Sequence, residues 1–222
     1  MLRITATFII ALLVVSGFLL VVLNDRYKIL DTFQHKFFDV TTDTGGEACF
    51  AELEERGIEY TLIGKMGKDI CIINDAVRIR NFENTTLSGA ITVNCQTALN
   101  TAKWFEEIKA KDVGHIGTYA CRKIAGSPVW SQHSFGNAID ITSINGASIK
   151  NDWSNDNDKG KYLRAAAETA CNYFSNVLTP EYNKAHEDHF HLDNGTRFSS
   201  CDPQWYKYLR HKYRQVRNWF LK

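Results

Sequence analysis

Proline is almost missing, at three residues in 222, and fourteen glycines leave no room for a low-complexity stalk, so collagen-like and linker-dominated chains are excluded. Net charge is also nearly absent. With 26 basic and 25 acidic residues the balance is +1, which argues against binding nucleic acid through bulk charge, and no nucleic-acid partner is expected. The six cysteines contain no C-x-x-C pair, which disfavours a zinc ribbon or a thioredoxin-type motif. No repeat of solenoid length occurs. What is present is the composition of a folded protein, 44% apolar and 23% charged, in about one domain's length of chain.

One long uncharged run stands out. Ile4 to Leu23 holds twenty residues without a charge, enough as a helix to cross the roughly 30 Å hydrocarbon core of a bilayer. It is longer than the apolar core of a signal peptide and runs into Asn24-Asp25-Arg26 with no small-residue cleavage site, so it reads as an uncleaved anchor. Flanking basic residues hardly choose an orientation, but the cysteines do. Cys49, Cys71, Cys95, Cys121, Cys171 and Cys201 all follow the run, an even set that suits up to three disulfides in an oxidising compartment. Fifteen pairings are open; Cys49 with Cys71 is the favoured local pair. The expected organisation is a cytoplasmic tip and transmembrane anchor over residues 1–24, a juxtamembrane linker over 25–46, an outward-facing domain over 47–204 and a basic aromatic C-terminal helix over 205–222. That last stretch carries six basic residues and no acid, and a helix there is expected to dock on the domain, the alternative being an interfacial helix lying on anionic lipid.

Within the domain the pattern is α+β. A short helix is expected around Cys49–Glu55, ended by Gly57, followed by strands near Glu59–Ile63, Ile70–Ile73 and Ala76–Ile79. Asn94 reads as a helix N-cap before a stripe of Cys95, Ala98, Leu99, Ala102, Phe105 and Ile108. A second helical stripe runs from Leu163 through Phe174 to Leu178.

The chemistry concentrates in two segments, Ser131-Gln132-His133-Ser134-Phe135-Gly136-Asn137-Ala138-Ile139-Asp140 and His186-Glu187-Asp188-His189-Phe190-His191-Leu192-Asp193. Three of the seven histidines fall within six residues of the second. On strands, His189, His191 and Asp193 share one face and Phe190 and Leu192 the other, as Asp140 opposes Ile139 and Ile141. A turn through Gly136 returns His133 towards Asp140. Two imidazoles and a carboxylate suit a zinc ion with a fourth position left for water, which is the catalytic type of site. Asp188, His186 and His189 lie close enough in sequence to serve as the base such chemistry needs. The same cluster also suits a solvated face or a satisfied hydrogen-bond network, and spacing does not choose. His35, His115 and His211 have no such company and read as structural.

The first segment carries the S-x-H-x-x-G-x-A-x-D signature, and the second the terminal H-x-H, of zinc peptidases related to D-alanyl-D-alanine carboxypeptidases and murein endopeptidases. With Tyr119-Ala120-Cys121-Arg122, Ala170-Cys171 and Tyr182 to Asp193, the stretch from about Cys49 to Cys201 resembles the bacterial extensin-like C-terminal domain family. The resemblance implies a hedgehog/DD-peptidase-like fold: a small antiparallel sheet bearing a zinc site, packed by helices. It implies His133, Asp140 and His191 as Zn2+ ligands, and Asp188 as general base with His189 orienting, while His186 and His189 also stand where murein endopeptidases place histidines. Arg122 takes the place of an arginine that stabilises the oxyanion in relatives. Ser131 and Gly136 then shape the loop, and Asn137 and Asp193 orient ligand rings. The implied function is hydrolysis of amide bonds in peptidoglycan peptides, by a protein held in the inner membrane with its domain in the periplasm. The alternative is a non-catalytic zinc-containing wall-binding or signalling module, because hedgehog proteins keep a similar site while acting as ligands.

Overall fold

The computed structural model describes residues 44–195 and Cys201. The chain divides into two compact units, Met1–Gly45 and Gly46–Lys222, and nearly all the described residues belong to the second. The expected anchor, most of the linker and the basic C-terminal helix lie outside the described residues. Among the described residues no helix is long and apolar enough to cross a membrane.

Helix α1 spans Thr44–Glu55, starting inside the expected linker and before the expected Cys49. Strands β1 (Tyr60–Met66), β2 (Ile73–Phe82) and β3 (Thr85–Asn94) follow, then helix α2 (Cys95–Glu107) and β4 (Asp112–Gly117). After a long connection come β5 (Ala138–Ile144), β6 (Ala147–Ser148), α3 (Ile149–Asp152), α4 (Asp158–Ala170), β7 (Asn176–Leu178) and β8 (Phe190–Asp193). The strands form one eight-stranded sheet in the order β1-β2-β3-β4-β5-β8-β7, with β6 beside β5. The architecture is α+β as expected, but the sheet is larger and not wholly antiparallel. β3 and β4 run parallel, and α2 is the crossover a parallel pair requires.

Asn94 caps α2, its side chain accepting from the Thr97 N–H at 2.7 Å. The helix buries more than the predicted stripe: Trp104, outside it, is completely buried, because α2 lies between the sheet and α4. The Trp104 indole donates to the Ala166 carbonyl of α4 at 3.0 Å and meets Phe174 edge-on. Two local expectations give way. The strand expected at Ile70–Ile73 is mostly the turn before β2, which opens only at Ile73 and runs on through the expected Ala76–Ile79, with irregular pairing to β1 at Gly64 absorbing the polar Asn74-Asp75. The second helical stripe ends at Ala170; Phe174 and Val177 reach the same core from a turn and from β7, so the apolar spacing outlives the helix.

The cysteines are fully paired, as Cys49–Cys95, Cys71–Cys121 and Cys171–Cys201, which overturns the expected Cys49–Cys71 bridge. Closeness in sequence misleads here because α1 and α2 lie side by side, joined by Lys103–Glu52 at 2.8 Å and Arg56–Glu106 at 2.9 Å. Cys49 therefore faces the first residue of α2.

Candidate metal centre

β5 and β8 are antiparallel neighbours, and their register sets Asp140 directly against His191. The alternation read from the sequence holds: Ile139, Ile141, Phe190 and Leu192 are fully buried on the side away from the site. His133 sits in a 3-10 turn, Gln132–Phe135, capped by the Ser131 side chain and closed by Gly136 at φ +64°. A Cβ on Gly136 would lie 2.8 Å from the Asn94 nitrogen, so both the left-handed backbone and the close approach require glycine there. The turn thereby folds His133 back over β5.

Three ligand atoms converge. His133 Nε2 lies 3.1 Å from Asp140 Oδ2 and 3.1 Å from His191 Nδ1, and His191 Nδ1 lies 2.8 Å from Asp140 Oδ1. Their outer partners fix the tautomers. His133 Nδ1 faces the Thr118 carbonyl, which only accepts, so that nitrogen carries the proton and Nε2 presents a lone pair. His191 Nε2 donates to Asp193 Oδ2 at 2.9 Å, so its Nδ1 presents the other lone pair. Asp193 is held in turn by Asn176 Nδ2 at 2.8 Å and the Gly195 N–H at 2.6 Å. Two lone pairs and a carboxylate facing one another at 3 Å, in a site where His133 and Asp140 are 2% and 7% exposed, require a positive centre between them. This nitrogen–nitrogen–oxygen set fits a divalent metal ion of the zinc type.

Without metal a proton serves. Burial lowers the basicity of His191, but the hydrogen bonds it donates to Asp140 and Asp193 outweigh it and push its pKa up to about 9. Burial likewise opposes ionisation of Asp140, yet the two histidines hold its carboxyl far below the usual range. Space is equally constrained: a Cβ on Gly117 of β4 would stand 2.9 Å from Asp140 Oδ2. Asp193→Ala, which frees the His191 ring, is expected to weaken zinc binding by about 10–100-fold in competition with a chelating dye. Unchanged affinity would show that Asp193 does not orient the ring.

Around the cluster opens a cleft of about 1060 Å³, lined among others by Arg122, His133, Asp140, His186, His189 and His191. Asp188 does not line it. Its half-exposed carboxylate instead accepts from His189 Nδ1 at 2.8 Å, leaving His189 Nε2 3.8 Å from Asp140 Oδ1. His186 Nδ1 donates to Asn183 Oδ1 at 2.7 Å, and burial together with its neighbours His191 and His189 lowers its pKa to about 4. It is therefore neutral at pH 7. Arg122 reaches the cleft wall with no ion pair among the described residues. Asn137, expected to orient a ligand ring, bonds Asn94 and Gln132 instead and so holds the loop. His115, read as structural, lines the cleft with Nε2 2.9 Å from the Gly89 carbonyl. Thr118 and Gly117 escape sequence reasoning because one acts through its backbone and the other through the side chain it lacks. Asn176, a lone amide outside both motif segments, gives no signal either.

The family model described as extensin-like protein C-terminus matches residues 47–202. The chain belongs to that family. No curated protein and no solved structure matches it. The match embraces the whole cluster and all three disulfides of this extensin-like domain.

Proposed function

We propose that this extensin-like protein is a zinc peptidase that hydrolyses amide bonds in peptidoglycan peptides, held at the inner membrane by residues 1–24 with its domain in the periplasm. The observation carrying the reading is the three-acceptor cluster of His133, Asp140 and His191 on the floor of an open cleft. Resemblance of the two motif segments to the DD-peptidases supports it, and three disulfides suit an oxidising compartment.

A zinc ion held by His133, Asp140 and His191 would acidify water and polarise a peptide carbonyl. The protein's part is proton transfer and placement. His189 Nε2 faces the cluster with its other nitrogen bonded to Asp188, so it is placed to take a proton while the carboxylate steadies the imidazolium. It then returns that proton to the leaving amine. This reverses the division expected from the resemblance, in which Asp188 is the base and His189 orients. His186, neutral at pH 7, offers an acceptor lone pair to the substrate, and Arg122 presents its guanidinium from the cleft wall.

Purified full-length protein is expected to hold about one zinc by elemental analysis and to release new amine termini from sacculi, read by mass spectrometry. His189→Ala should keep the zinc and slow cleavage by about 10²–10⁴-fold, with Asp188→Ala costing less. Equal losses would return the base to Asp188. Zinc retained with no cleavage by the native protein would favour the wall-binding module.

A further inference from the structure

One wall of the cleft is the segment from Tyr119 to Trp130, which folds on itself as a small hairpin. Lys123 and Trp130 form an antiparallel bridge, the Ile124 N–H donates to the Val129 carbonyl at 2.9 Å, and the Lys123 ammonium lies 5.6 Å above the Trp130 ring. Its root is bound twice to the β1–β2 connection: Cys121 is disulfide-bonded to the fully buried Cys71, and the Tyr119 hydroxyl donates to the Cys71 carbonyl at 3.0 Å. Gly67, at φ +100°, makes that approach possible, since a side chain there would collide with the Cys71 carbonyl. The root is also bound to the turn that carries His133. Ala120 donates to the His133 carbonyl at 3.2 Å, and both backbone groups of Arg122 bond Ser134 Oγ, at 3.0 and 2.8 Å.

The face this segment gives the cleft is chemically lopsided. Ile124 is 48% exposed, and Ile116, also lining the cleft, is 64% exposed. Arg122, exposed on the same wall, adds a cation without an ion pair among the described residues. An unneutralised guanidinium on a rigid root beside open aliphatic surface complements a ligand carrying an anion next to an apolar side chain.

We propose that Tyr119–Trp130 is the ligand-gripping wall of the cleft, that it holds an extended peptide bearing a carboxylate beside an aliphatic side chain, and that the Cys71–Cys121 bond fixes this grip without acting on the metal. This rests on the reading of the cleft as a peptide site, and deepens it by naming what is recognised. The metal ligands keep supports of their own when the disulfide is opened: His133 is also held by Ser131, Gly136 and Thr118, and Asp140 and His191 by the β5–β8 pairing.

The test is calorimetric titration of zinc-loaded full-length protein, in a His189→Ala background so that the probe stays intact. The probe is N-acetyl-Leu-Glu-Ala-amide, compared with its Gly-for-Leu and Gln-for-Glu analogues. The probe should bind about tenfold more tightly than either analogue. Cys71→Ser with Cys121→Ser should bring the three peptides level while zinc content stays at one per chain. The proposal is overturned if the three peptides bind alike before the cysteines are changed, if the preference survives their removal, or if zinc is lost with the clasp. Should the double variant not fold, Ile124→Ser must erase the preference for leucine and Arg122→Gln that for glutamate, both being exposed positions; a preference that persists also overturns it. Cleavage of sacculi is a separate readout, so its absence would strike the hydrolase reading and leave the binding result standing.

Discussion

Asp140→Asn is expected to weaken zinc binding by about a thousandfold and to abolish any cleavage that depends on it. Asp140 is the single anion among the three ligands, and both its oxygens are engaged, one towards each histidine. An amide would turn donors towards lone pairs and remove the charge that favours a cation. Binding free energies for structural zinc sites run to roughly 10–16 kcal/mol, so losing one ligand's share of about 4 kcal/mol gives that factor. Elemental analysis after gel filtration would measure it; native zinc content in Asp140→Asn would remove the metal centre from this account.

The same cluster fixes a pH dependence whose sign follows from the two shifts. In metal-free protein His191 is raised to about 9, so its contribution to stability is complete below the unfolded value near 6.5 and is lost as pH climbs towards 9. Asp140 is depressed, so its contribution is present above about 4 and is lost on acidification. Metal-free protein should therefore be most stable between about pH 4 and 6.5 as far as these groups decide it, and its melting temperature should fall between about pH 6.5 and 9. A zinc ion bound by His191 would displace its proton, so zinc affinity should rise with pH over that range, and loaded protein should not show the alkaline decline. Melting curves with and without chelator across this range test it, and parallel curves would refute it.

Trp104→Ala should be the most costly single change in the core, at about 3–5 kcal/mol. The indole is fully buried between α2 and α4, packs edge-on against Phe174 with ring centroids 6.2 Å apart, and spends its only donor on the Ala166 carbonyl. For a chain of this size that corresponds to a melting temperature lower by about 6–20 °C. Denaturant titration monitored by circular dichroism would give the value; a cost below about 1 kcal/mol would mean that the helices close over the gap.

Trp104 also marks a limit of reading helices by period. The stripe after Asn94 identified the helix and its cap, yet omitted the largest side chain the helix buries, because a helix between a sheet and a second helix is apolar on more than one face. The stripe that ran on to Leu178 erred the opposite way, since a core receives side chains at helical spacing from turns and strands too. Over Ala138–Ile141 and Phe190–Asp193 the two-residue period was enough, as each strand buries one face and presents ligands on the other.

Thus the order of residues alone determined which side chains share a face, where α2 begins, and which residue types offer themselves to a metal, because each of these depends on neighbours a few positions apart. Tertiary structure decided the rest. It paired Cys49 with Cys95, inserted β8 between β5 and β7 so that Asp140 meets His191 across 51 residues, and aimed the Thr118 carbonyl at His133. It also turned Asp188 away from the cleft and onto His189. Those arrangements arise from packing between distant segments, which leaves no periodic trace in the chain.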